Sequence, residues 1–156
     1  MNIILPAKQE LLFAQGMVRI DILHGDDLSQ VIRTIEVSNR IVTVGRAYLG
    51  LLVKGSEPAP TDIAVGTDNT TADDADTALG AQVFKDNITQ RIDITDGVRL
   101  RFLLATSSAN GNTLREAGVL GPVPNLFLLA RVTHPDIVKS SSVAVNYTWD
   151  ITFTQP

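Results

Sequence analysis

The stretch Val143-Ala144-Val145-Asn146-Tyr147-Thr148-Trp149-Asp150-Ile151-Thr152-Phe153 decides the fold. Val143, Val145, Tyr147, Trp149, Ile151 and Phe153 are apolar, while the residues between them are small or polar. A period of two is what a β-strand with one buried and one wet face requires. At about 3.3 Å per residue this strand would run roughly 35 Å, longer than a common strand and better matched to a sandwich than to a small barrel.

Working outward, the same period recurs. Val98, Leu100, Phe102 and Leu104 share one face with Arg99 and Arg101 on the reverse, and Asp96-Gly97 is a hairpin signal separating them from Ile88, Ile92 and Ile94. Val18, Ile20 and Ile22 alternate with Arg19 and Asp21, His24 to Asp27 reads as a turn, and Gln30 to Val37, rich in Val, Ile and Thr, as the returning strand. Asp62 to Gly66 is a short apolar strand. Asn112 to Leu120 and Asn125 to Thr133 are two further segments, punctuated by Asn110-Gly111 and Gly121-Pro122. One run breaks the pattern. In Arg46 to Lys54, Tyr48, Leu49, Leu51 and Leu52 suit one face of a short helix, stopped at Gly55. Strands at this spacing predict an all-β chain, a single antiparallel β-sandwich with one short helix and an N-terminal arm. Residues 1–16 are assigned to the arm or a short helix and residues 17–156 to the sandwich.

The 156 residues carry 13 Lys plus Arg against 17 Asp plus Glu, a net charge of −4, and are 44% hydrophobic, enough for one sizeable core. A charged fraction of 19% is below the roughly 25% usual for soluble domains, which points to surface that meets other protein. The mean hydropathy of +0.14 agrees. An isoelectric point near 5.0 and the absence of a Lys/Arg run argue against nucleic acid as a partner. There is no Cys, hence no disulfide framework or thiolate site. Met1 to Leu5 are followed at once by Pro6 with no basic region before them, unlike a secretory signal, and no stretch reads as a membrane span.

Reactive chemistry finds little support. Asp62, Asp68, Asp73, Asp74 and Asp76 would attract a hard cation, but they lack the alternate spacing, the sixth-position Gly and the twelfth-position Glu of a calcium loop, so they read as a solvated polar loop with no metal assigned. His24 and His134 each lie beside acids, but no Gly-x-Ser-x-Gly elbow presents Ser107, Ser108 or Ser140 as a nucleophile. No catalytic residue and no cofactor is assigned. Tyr147, Trp149 and Phe153 could stack on sugars, yet their alternation with Val and Ile makes core the better reading.

Asn110-Gly-Asn-Thr-Leu-Arg-Glu-Ala-Gly-Val-Leu120, Leu128-Leu-Ala-Arg131 and Val138-Lys-Ser-Ser-Ser leading into the terminal strand resemble the C-terminal part of small structural proteins of tailed bacteriophages. Asn39 to Arg46, Ile63 to Thr67 and Asp76 to Leu79 look like the same family's earlier landmarks, with Val119-Leu120 in place of its usual Leu-Phe. The resemblance implies a non-enzymatic virion component made in the host cytoplasm, with other virion proteins and like copies as partners. A capsid decoration or cement protein is the expected role, because no collagen-like, coiled-coil or β-helical repeat is present for building a fibre. A tail-fibre, collar or baseplate attachment subunit and a host-glycan-binding module are the alternatives. Two features would serve such a scaffold. Met1, Asn2, Ile3, Ile4 and Leu5 form an apolar assembly arm, and a hairpin through Gly121 to Pro124 places Glu116 opposite Arg131 as a register-fixing ion pair, against the alternative of two solvent-facing charges. Gly118 marks a bulge or a close backbone approach.

Overall fold

The first and last strands among the described residues are partners. β1 (Phe13–His24) and β9 (Val143–Thr154) pair antiparallel along their whole length, from Phe13 opposite Thr154 to His24 opposite Val143. The computed structural model describes residues 13–154. Between the two strands lie β2 (Val31–Ile41), α1 (Thr43–Lys54), β3 (Asp62–Gly66), β4 (Gln82–Asn87), β5 (Gln90–Ile94), β6 (Gly97–Leu104), β7 (Thr113–Leu120) and β8 (Leu128–Val138). All pairings between these strands are antiparallel, in the order β4-β3-β7-β8-β2-β1-β9-β6-β5.

Among the described residues the all-β antiparallel architecture with one short helix is therefore present, but its layers are joined. Instead of two separate sheets, one nine-stranded sheet curls into a half-barrel. The join is β2, which pairs with β1 from Val31 to Asn39 and reaches β8 only through Arg40 opposite Arg131 and Ile41 opposite Ala130. The two limbs enclose one core: Val18, Ile20, Tyr147 and Trp149 from one side meet Ile63, Val65, Ala117 and Val132 from the other, all buried. The strand β1 begins at Phe13, so the final residues of the stretch assigned to the arm already belong to the sheet, while Met1, Asn2, Ile3, Ile4 and Leu5 lie outside the described residues.

The helix stops where its sequence says it should. Gly55 has φ 72°, and its N–H donates to Leu52 O while that of Ser56 donates to Leu51 O, closing the last turn. Tyr48 carries the helix into the core, stacked on Phe127 at 5.3 Å between ring centroids, and its hydroxyl donates to Pro58 O at 2.6 Å. Burial pushes that hydroxyl's pKa up to about 12. On the outer face of the β3-β7-β8 limb a second, smaller core forms from Val42, Ala64, Leu79, Leu120 and Leu128, because the loop 67–81 folds over that limb. Gly118 lies beneath it in regular pairing with Ala64 and Arg131. A Cβ there would stand 2.6 Å from Leu79 Cδ1 and 2.9 Å from Leu128 Cδ1, so the glycine serves a close approach, and the irregularities of β7 fall on either side of it.

Candidate functional site: a buried charge cluster, an open seam and an apolar groove

Glu116 and Arg131 come together on the covered face of β7 and β8. Glu116 is opposite Thr133 and Arg131 opposite Gly118, so the pair is diagonal across the ladder. Arg131 Nε donates to Glu116 Oε2 at 2.9 Å, and the two side chains are 2% and 0% exposed. The pair is the centre of something larger. Arg131 Nη1 donates to Asp76 Oδ2 and Nη2 to Asp68 Oδ2, each at 2.8 Å, while the Gly80 and Ala81 N–H groups donate to Glu116 at 3.0 and 2.7 Å. One guanidinium and one carboxylate thus fasten both ends of the loop 67–81 to the sheet, an arrangement of charge-assisted hydrogen bonds. Burial raises the pKa of Asp68 and of Asp76. For Asp68 the Thr70 hydrogen bonds and then Arg131 outweigh that, and for Asp76 the Asp73 N–H and then Arg131 do, so both lie below the ordinary value.

The rest of the acidic loop has local partners. Asp62 accepts from Lys85 Nζ at 2.9 Å, Asp73 accepts from the Ala75 N–H at 2.9 Å, and Asp74 faces Arg40 and Arg46 at 3.5 and 3.7 Å. Among the described residues no group of three His, Asp or Glu side chains converges to hold an ion.

His134 sits inside strand β8, one residue beyond the segment Asn125 to Thr133 read from the sequence. It is buried, with Nδ1 2.9 Å from Pro135 O and Nε2 3.4 Å from the Tyr147 hydroxyl. The neutral tautomer with Nδ1–H donating to the carbonyl and Nε2 accepting from tyrosine satisfies both nitrogens. Desolvation lowers the histidine pKa from 6.5, against the opposing pull of the Pro135 carbonyl, Asp136 and Glu116. Below about pH 6.5 the unfolded chain takes up a proton that the folded chain refuses, so stability falls with pH from 6.5 down to the folded pKa, by at most about 1.4 kcal/mol per pH unit. In urea titrations at stepped pH, His134→Gln should lose this slope while keeping the acid loss below the carboxylate range. An unchanged slope would show that another group carries it.

Tyr147 and Trp149 are fully buried and belong to the core, while Phe153 is only half-buried. Lys139, which the sequence did not single out, is also buried. Its Nζ donates to Asn110 Oδ1 at 2.9 Å and Ser140 O at 3.0 Å, and burial lowers its pKa. Asn110 Nδ2 in turn donates to Thr106 O, and Asp26 accepts from the Thr106 N–H and hydroxyl, so the ammonium knits three loops at one end of the sheet.

Two surfaces stay open among the described residues. Of these residues, 31–39 of β2 pair only with β1, and at Ser38 and Asn39 the strand borders a hollow of about 950 Å³. There the Asn39 amide lies across Gly16, where a Cβ would collide with it, and neither amide atom has a hydrogen-bond partner among the described residues. Leu28, Val31 and Ile32 are exposed along this hairpin. Such an edge with apolar side chains is a template for pairing with another chain. The second surface is an apolar groove of about 650 Å³ between α1 and the sheet, with Leu49, Leu52 and Val53 on the helix facing Val98, Ile151 and Phe153. Comparison with protein-family models, with curated proteins and with solved structures returns no match.

Proposed function

We propose that this chain is a non-enzymatic assembly subunit of a tailed-bacteriophage particle, a capsid decoration or cement protein that binds other virion proteins and copies of itself. The apolar groove beside α1 carries the reading, because it opens directly onto core residues such as Leu100 and Leu129 and is lined almost entirely by hydrophobic side chains. The open edge of β2 and the low charged fraction support it. The titratable groups described above serve adhesion of the fold to itself: Arg131 and Lys139 each lock loops to the sheet. The phage assignment comes from the landmarks between Asn39 and Phe153.

Quantitative mass spectrometry of purified particles tests it. A decoration protein should be present in copies numbering in the hundreds. A handful of copies would place it on the tail as a fibre, collar or baseplate subunit, and absence from the particle would overturn the reading.

A further inference from the structure

We infer that the buried Lys139 amine and the Asn110 carboxamide are the two halves of an intramolecular amide cross-link, a covalent modification that ties the loop after β6 to the end of the β7-β8 ladder. The inference stands apart from the phage assignment, since it uses only contacts within one chain.

The placement is built outward from the ladder. β7 and β8 pair as far as Thr113 opposite Val138, and two backbone bonds continue the closure: the Lys139 N–H donates to Asn112 O at 2.9 Å and the Gly111 N–H to Lys139 O at 3.0 Å. Asn110 and Lys139, 29 positions apart in sequence, are thereby held together at one end of the hairpin. Lys139 is 1% exposed, and its Nζ donates to Asn110 Oδ1 at 2.9 Å, Ser140 O at 3.0 Å and Thr106 O at 3.4 Å. Three acceptors take the three hydrogens of an ammonium. When the group gives up a proton, two N–H bonds remain for the two backbone carbonyls, and the lone pair is left facing the asparagine side chain, one bond from Cγ. Burial lowers the pKa of this lysine, against the pull of Asp26, and so raises the share of the free amine, which is the nucleophilic form. Asn110 is exposed, so its amide can turn its face to the amine and the leaving group has a path to water.

The step balances without a further reagent. Nζ attacks Cγ, the Cγ–Nζ bond forms, the Cγ–Nδ2 bond breaks, and one Nζ proton passes to Nδ2, which leaves as ammonia. Both nitrogens already face one acceptor, because Asn110 Nδ2 also donates to Thr106 O, at 2.9 Å. Asp26 fixes that carbonyl in place by accepting from the Thr106 N–H at 2.7 Å and from its hydroxyl at 2.9 Å. Holding amine and amide in contact replaces a bimolecular encounter with an intramolecular one. A competing nucleophile, the backbone nitrogen of Gly111, is committed to its hydrogen bond with Lys139 O, which leaves the attack to the lysine.

Mass spectrometry of the purified full chain under denaturing conditions tests this. The main species should be lighter than its sequence by one ammonia, about 17 Da. Trypsin should then release residues 102–115 joined to a segment that starts at Val132 and is uncut after Lys139, because an acylated lysine is not a cleavage site. Asn110→Ala and Lys139→Arg should each show the full mass of their sequence, the second while keeping the cation. A parent chain at its unmodified mass would overturn the inference. So would a mass raised by hydrolysis of the Asn110 amide, or a loss of ammonia confined to residues 102–115, the mark of a cyclic imide made by Gly111. The parent's own mass decides, so a variant that fails to fold leaves the test intact, and no outcome depends on the copy number in the particle.

Discussion

Replacing Arg131 with methionine is expected to lower the free energy of unfolding by about 3–5 kcal/mol, the usual cost of removing one partner from a buried ion pair. The cost falls unevenly on the three carboxylates that face the guanidinium. Asp68 and Asp76 are 26% and 24% exposed and can turn to water, whereas Glu116 is 0% exposed and would be left charged without a counter-ion. Neutralising that carboxylate should therefore restore part of the loss: Arg131→Met with Glu116→Gln is expected to be more stable than Arg131→Met alone. Equal instability in urea titrations would mean that loss of the loop clamp, and not the stranded charge, sets the cost. In either variant the Gly80 and Ala81 amides, which donate to Glu116, should exchange with solvent faster than in the parent.

The second large effect pairs two glycines of one helix with opposite outcomes. Alanine is favoured over glycine inside a helix by up to about 1 kcal/mol. At Gly50 a Cβ meets nothing within 4 Å, so Gly50→Ala should stabilise by roughly that amount. At Gly45 the same methyl would collide with the backbone carbonyl of Leu129, which belongs to β8 and cannot rotate away. Lifting the helix off the sheet costs more than the propensity returns, and Gly45→Ala is expected to destabilise by about 1–3 kcal/mol and to loosen the Tyr48–Phe127 stack. Denaturation midpoints and near-ultraviolet dichroism read both. Two variants shifting in the same direction would refute the close packing at Gly45.

Local pattern carries some of this architecture and is silent on the rest. The strands β9, β1 and β6 and the stop of α1 at Gly55 are legible because alternation and a left-handed glycine are local signals. What alternation cannot report is whether the layer covering a strand belongs to the same ladder. That is why a two-layer sandwich is the natural reading of a sheet whose halves join only at Arg40 and Ile41. The edge strand β4 (Gln82–Asn87) is half-exposed without alternation, and β8 runs through His134-Pro135-Asp136, a sequence with the composition of a turn, flanked by the β7 pairings of Thr133 with Glu116 and Ile137 with Leu114. The charge cluster was half visible. Glu116 and Arg131 are neighbours on a hairpin, but Asp76 and Asp68 come from 55 and 63 residues away, a separation at which no spacing rule applies.

The pairing of β1 with β9 has a consequence for how the molecule is made. A ribosome releases β1 long before β9 exists, so the most extensive ladder in the sheet cannot form until the residues through Thr154 have been made. Until then Val18 and Ile20, wholly covered in the finished protein, sit in a hairpin with one unsatisfied side. A product terminated before Val143 keeps that bare edge permanently, which makes truncated chains prone to clumping or destruction while full-length ones seal themselves.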